Sequence, residues 1–192
     1  MPELDKVVFL DRDGVINEDS PDYIKNWSEV SFIPGSLQAI RRLTEAGFAI
    51  ILITNQSGVG RHYLSREGLE YIFAKMKNRV TAAGGQILDV FYCPHLPDDD
   101  CLCRKPRPGL IYQACLRYAI NLASACMIGD SAKDMRCARA AACGYAILVR
   151  TGNGRQAELE LARDRVHLEY IAEDLLDAAN WLIENHDSDP AA

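Results

Sequence analysis

Hydrophobic and polar positions along the chain repeat with two alternating periods. Val7-Val8-Phe9-Leu10 is an unbroken apolar run ending in charge, the pattern of a strand buried on both faces. Similar runs predict strands over 48–53, 87–92, 125–128 and 145–149, with a weaker one at Tyr170-Ile171. Helical spacing lies between them. Leu37, Ile40 and Leu43 predict a helix over 36–46, bracketed by Pro34-Gly35 and Gly47. A long amphipathic helix is expected over 65–83, with Ser65 as its N-cap and Gly84-Gly85 closing it. Others are expected over 109–118, 133–142 and 173–184. Segment 94–108 is rich in proline, aspartate and cysteine and carries neither period. From 185 onward the chain reads as a frayed tail.

Strands alternating with helices predict an α/β fold, Rossmann-like, with a parallel sheet covered on both faces in three layers. There is no internal repeat and no linker, so a single domain is expected over 1–192. In such sheets ligands bind outside the carboxyl ends of the strands. Asp11 and Asp13 follow the first strand, Thr54 and Asn55 the second, Cys93 and His95 the third, and Asp130 the fourth. All four clusters are thereby expected on one edge.

Composition narrows the function classes. The chain has 192 residues, 48% hydrophobic and 25% charged, enough for a well-developed core. A net charge of −6 speaks against nucleic acid as a partner. A phosphorylated small molecule then has to be met by local cations or a metal. No apolar run reaches membrane-spanning length and no signal-peptide pattern opens the chain, so a cytoplasmic location without a membrane partner is expected. Seven cysteines without a secretion signal do not read as a disulfide framework. Cys115, Cys126, Cys137 and Cys143 sit in apolar contexts and read as small core residues.

Two acids two residues apart at the end of a buried strand need something to offset desolvation and mutual repulsion. Magnesium does this with a few hard carboxylate oxygens, and Asp130 offers a further one. An acidic surface loop is the simpler alternative, and the coincidence of strand ends weighs against it. A carboxylate such as Asp11 can attack phosphorus, and a second such as Asp13 can protonate the leaving alkoxide and then deprotonate water. Gly14 permits the turn that brings Asp13 back over the site. Thr54 and the amides after it can donate to phosphoryl oxygens, Lys105 supplies a point charge, and Arg104 a planar fork.

Cys93, His95, Cys101 and Cys103 place three thiols and an imidazole within eleven residues. That is the ligand set of a closed structural zinc site, which leaves no open position for water. Such an ion would fold a loop that has no core of its own. The loop runs directly into Arg104-Lys105 and is expected to hold those cations over the magnesium site.

Four stretches now line up in order. Phe9-Leu10-Asp11-Arg12-Asp13-Gly14, Thr54-Asn55-Gln56-Ser57-Gly58, Arg104-Lys105-Pro106 and Gly129-Asp130-Ser131-Ala132-Lys133-Asp134 resemble the four ordered motifs of the haloacid dehalogenase superfamily. The resemblance implies Asp11 as nucleophile, Asp13 as acid/base, and Thr54 and Lys105 as phosphoryl stabilisers. It also implies magnesium held by Asp11, Asp130 and the main-chain carbonyl of Asp13, with Asp134 in support or as a further ligand. The zinc loop, with no large inserted cap, is similar to two branches of that superfamily, one acting on a heptose bisphosphate and the other on histidinol phosphate. Segment 55–61, Asn17-Glu18-Asp19 and the Arg104–Gly109 run look more like the heptose branch, and the short loop 95–101 more like the other. The heptose branch implies substrate contacts from Asp19, Ser20, Tyr23, Asn55, Gln56, Ser57, Arg61 and Arg104, with Arg107 a further candidate for the distal phosphate. It also implies a monomer that supplies dephosphorylated heptose for a nucleotide-activated surface sugar. Ser131 departs from that branch, where a lysine is often found. A non-catalytic receiver-like module also places acids at strand ends, but has little use for Asp13 or a zinc loop.

Overall fold

A computed structural model of the chain describes residues 4–186. Its strands are β1 (Val7–Leu10), β2 (Ala49–Asn55), β3 (Asp89–Cys93), β4 (Cys126–Gly129), β5 (Tyr145–Val149) and β6 (Tyr170–Ala172). All pair in parallel, in the order β3-β2-β1-β4-β5-β6. The helices are α1 (Ser36–Glu45), α2 (Ser57–Gly60), α3 (Arg66–Ala82), α4 (Gly109–Arg117), α5 (Ala132–Ala140), α6 (Gly154–Arg163) and α7 (Leu175–Asn185).

The central strand β1 is fully buried along its length. Val8 and Leu10 pack with Ile40 and Leu43 of α1, Met76 of α3 and Leu182 of α7. Val7 and Phe9 face the other way, onto Ile111 of α4, Met135 of α5 and Leu161 of α6. Each such side chain contributes roughly 1.5–3 kcal/mol of gross burial, so the strand is anchored from both layers. The result is the three-layer arrangement expected from the alternating periods. No helix among the described residues is long and apolar enough to cross a membrane.

Strand order decides where the site lies. From β1 the chain builds β2 and β3 on one side, then returns to lay β4, β5 and β6 on the other. The crevice at this reversal opens beyond the carboxyl ends of β1 and β4, where Asp11 and Asp130 stand. The amide of Asp11 donates to the carbonyl of Ile128 (3.1 Å), stitching the two strand ends together.

Several boundaries differ from expectation. Thr54 and Asn55 do not follow the second strand but end it, because they pair with Tyr92 and Cys93 of β3. β3 begins at Asp89 rather than 87, and as an edge strand it is only half-buried. α7 starts at Leu175, because Asp174 caps it by accepting from the amide of Asp177. Asn185, expected to open a frayed tail, is the last residue of α7, and positions beyond 186 lie outside the described residues. Sequence periodicity missed α2, the 3-10 turn Trp27–Glu29 and α6. α6 buries only Gly154, Ala157 and Leu161, too sparse a stripe to register. Cys126, Cys137 and Cys143 are buried as expected, whereas Cys115 is only partly buried.

Candidate active site

A cleft of about 440 Å³ opens over the strand ends. Asp11, Asp13, Thr54 and Asp130 line its floor, and Asp19, Ser20, Tyr23, Arg104, Lys133 and Asn153 are among the residues of its walls. At the base lies an ion-pair network. Lys105 Nζ, on a side chain 2% exposed, sits 2.8 Å from Asp11 Oδ2, 2.6 Å from Asp134 Oδ1 and 2.8 Å from the carbonyl oxygen of Ile53. All three of its donors are thereby satisfied. Burial pushes Lys105 down, but the Asp11 and Asp134 carboxylates outweigh it and hold the ammonium above its ordinary value. Asn55 fixes the backbone beneath: its Oδ1 accepts from the amide of Lys105 (3.1 Å) and its Nδ2 donates to that residue's carbonyl (3.2 Å). Its amide group is thus spent on Lys105, although the residue lines the cleft.

The acids carry the opposite strain. Burial, and secondarily the neighbouring Asp134, push Asp11 up to about 6 against the pull of Lys105. Burial, then Asp134 and Asp11, push Asp130 up to about 8. Carboxylate oxygens of Asp11, Asp130 and Asp134 lie within 4.8 Å of one another. A cluster of hard oxygens that is costly to ionise without a cation fits magnesium. Asp134 is already engaged at both oxygens, since Oδ2 accepts from the amide (3.0 Å) and hydroxyl (2.6 Å) of Ser131. That suits support of Lys105 and of the α5 N-terminus better than ligation.

Asp13 is held by a separate set of donors. Arg12 Nε (2.9 Å) and Nη2 (2.7 Å) donate to its Oδ1, and Asn17 Nδ2 reaches the same oxygen (2.9 Å). Gln56 Nε2 donates to Asp13 Oδ2 (2.8 Å) and to Thr54 Oγ1 (2.9 Å), joining the acid/base candidate to the phosphoryl donor. The amide of Gln56, by contrast, donates to the Cys93 carbonyl (2.7 Å), so it is not free for a phosphoryl group as the sequence led one to expect. Gly14 has φ +74°, and a Cβ there would meet Asp130 Oδ2 at 2.2 Å. The turn therefore demands glycine twice, for conformation and for space.

The thiol-imidazole cluster joins Cys93, which ends β3 rather than following it, to His95, Cys101 and Cys103 of the loop before α4. Cys93 Sγ lies 3.5 Å from His95 Nδ1 and 3.6 Å from Cys101 Sγ, while Cys103 Sγ lies 3.2 Å from His95 Nδ1 and 3.6 Å from Cys101 Sγ. A tetrahedron with legs of about 2.3 Å has edges of about 3.8 Å, so these four atoms nearly enclose a zinc ion. Arg104 Nη1 donates to the His95 carbonyl (3.2 Å), which ties the cleft wall to that loop.

Some expected contacts are not brought to the cleft. Arg107 turns away and binds Asp100 and the Cys101 carbonyl, bracing the zinc loop. Arg61 is exposed, lies over the Tyr23 ring (5.9 Å) and does not line the cleft, and Ser57 is buried at the start of α2. Arg12, Asn17 and Lys133 stand within the quoted motifs without a role of their own, and Asn153 stands in none of them. Lys133 lies within the fourth motif, two positions after Ser131, and its place on the wall supplies a cation near where Ser131 lacks one. Asn153 stands four residues beyond β5, at the start of α6, too far along for the strand-end rule to reach.

Comparisons with known proteins show what the chain is similar to. Residues 102–178 match the family model described as HAD-hydrolase-like. The chain is similar to the D-glycero-beta-D-manno-heptose-1,7-bisphosphate 7-phosphatase of Pseudomonas aeruginosa, 45% identical over 148 residues, which is 77% of this chain and 83% of the relative. It is similar to the enzyme of the same name from Neisseria meningitidis serogroup A, 35% identical over 181 residues, 94% of this chain and 96% of the relative. Among solved structures, the D,D-heptose 1,7-bisphosphate phosphatase of B. bronchiseptica complexed with magnesium and phosphate superposes with a TM-score of 0.87. Its identity is 41%, covering 94% of this chain and 99% of that one.

Proposed function

The chain belongs to the haloacid dehalogenase-like hydrolases, within the heptose-1,7-bisphosphate 7-phosphatase family, and from that premise we propose that it removes the 7-phosphate of D-glycero-D-manno-heptose 1,7-bisphosphate through a phosphoryl-Asp11 intermediate. The observation that carries the reading is Lys105 Nζ bridging Asp11 and Asp134 beside Asp130, at the base of a cleft of about 440 Å³ that has room for a sugar phosphate.

In this reading the Asp11 carboxylate attacks phosphorus while Asp13 gives its proton to the departing O7 of the sugar. Asp13 then takes a proton from the water that attacks phosphoryl-Asp11, releasing inorganic phosphate and restoring both acids. Lys105 and the Thr54 hydroxyl meet the charge on the transferred oxygens. Asp11, Asp130 and the Asp13 carbonyl would hold magnesium, which when bound offsets repulsion between the Asp11 carboxylate and the phosphate anion. Cys93, His95, Cys101 and Cys103 would hold zinc and so fix Arg104 and Lys105 in place. The distal 1-phosphate is read by Arg104 and Lys133, the lining cations other than Arg12, which Asp13 holds. Product of this chemistry feeds ADP- or GDP-heptose synthesis.

The matched relatives act on heptose bisphosphate, and this favours heptose over histidinol phosphate. Phosphate release measured on both substrates, with magnesium and at equal enzyme concentration, tests the choice. Higher kcat/KM on heptose bisphosphate supports the reading, and a preference for histidinol phosphate refutes it.

A further inference from the structure

The loop after β5 reaches the site from a strand that carries none of the residues given a chemical role above. Asn153 is the N-cap of α6, yet its side chain makes no cap hydrogen bond. An N-cap asparagine ordinarily accepts from the first amides of its helix. Here the side chain is turned into the cleft. Its Nδ2 donates to Asp130 Oδ2 (3.2 Å) and to Asp19 Oδ2 (3.4 Å), and its backbone amide donates to the same Asp130 oxygen (2.8 Å).

The neighbouring backbone closes around that oxygen. A Cβ at Gly152, whose φ is +54°, would meet Asp130 Oδ2 at 2.1 Å, and one at Gly14 would meet it at 2.2 Å. Thr151 Oγ1 donates to the Gly14 carbonyl (2.6 Å), pinning the turn after β1 to the loop after β5. Asp130 Oδ2 is thus enclosed by two donors and two glycines. Oδ1 accepts no hydrogen bond from the described residues and is the oxygen left for a metal.

We propose that Asn153 is a positioning residue that holds Asp130 with Oδ1 alone presented to magnesium and, through Asp19, couples that ligand to the substrate-entrance segment. Magnesium demands near-octahedral geometry and tolerates a misplaced carboxylate poorly. A partner that fixes one carboxylate oxygen therefore tunes affinity without touching the ion. The inference rests on the magnesium reading above.

The test is calorimetric titration of magnesium into metal-free protein, which needs no substrate. Asn153→Ala and Asn153→Ser both keep the backbone donor and lose the amide side chain; the serine, itself a good N-cap, serves if the alanine variant does not fold. Both are expected to bind magnesium about tenfold more weakly than the parent, with an unchanged melting temperature in EDTA. Magnesium affinity within twofold of the parent overturns the proposal, and so does a fall in melting temperature without a fall in affinity. A parent protein that binds no magnesium at all refutes the underlying reading, a different and recognisable result. For the coupling, KM for the bisphosphate is expected to rise in Asp19→Asn and in Asn153→Ala, with the double variant no worse than the poorer single one. Simple multiplication of the two effects overturns the link through Asp19.

Discussion

Lys105 Nζ and Asp134 Oδ1 lie 2.6 Å apart, with both side chains almost wholly removed from solvent. The pair connects the loop before α4 to the first turn of α5, and Lys105 reaches Asp11 at the same time. Replacing Lys105 by methionine would leave Asp11, Asp130 and Asp134 facing one another without it. Breaking a buried pair in this way costs about 3–5 kcal/mol. Lys105→Met is therefore expected to lose that much in urea unfolding of the metal-free protein, with part restored by magnesium. A loss below about 1 kcal/mol, the scale of an exposed pair, would contradict this picture.

The same cluster sets a pH dependence. Asp130, raised to about 8, and Asp11, raised to about 6, bind their protons more tightly in the folded chain than in the unfolded one, where carboxyls titrate near 3.8. Their contribution to stability is full below that ordinary value and is lost as pH rises through 6 and then 8. In EDTA the melting temperature is expected to fall between about pH 5 and about pH 9, and magnesium is expected to reverse most of the fall at the alkaline end. Melting scans with and without magnesium across this range check it. A metal-free protein that becomes more stable with rising pH would show that the acids are not strained.

The four-ligand loop makes an independent prediction. Freshly purified protein is expected to carry about one zinc per chain by elemental analysis. Cys101→Ser, or stripping with a strong chelator, is expected to release the ion, lower the melting temperature and reduce kcat, because Arg104 and Lys105 lose their support. Full activity in zinc-free protein would separate the loop from the catalytic cations.

Much of the site was legible because each strand end carries its chemistry within one or two residues of an apolar run. Asp11, Thr54, Cys93 and Asp130 are placed by that rule alone, and the sheet edge that gathers them follows from the alternation of periods. What was not legible depends on side-chain direction. Charge and spacing in Arg104-Lys105-Pro106-Arg107 do not separate Lys105, buried between two acids, from Arg107, turned outward to Asp100; only the motif resemblance gave Lys105 its role. Arg12 and Asn17 look like ordinary polar neighbours, and only the folded turn shows both donating to Asp13. α6 was missed because its buried face is made mostly of small residues, and Asn153 at its start was missed with it.

The most direct test of Asp11 as the phosphoryl acceptor is mass spectrometry of acid-quenched enzyme during turnover of heptose bisphosphate with magnesium. Trypsin cutting after Lys6 and Arg12 releases segment 7–12, in which Asp11 is the only side-chain carboxylate. The peptide is expected to carry one phosphoryl group in the parent protein and none in Asp11→Asn, whose turnover is expected to be abolished. Steady phosphate release with no label on that peptide, or undiminished turnover in Asp11→Asn, would contradict the assignment.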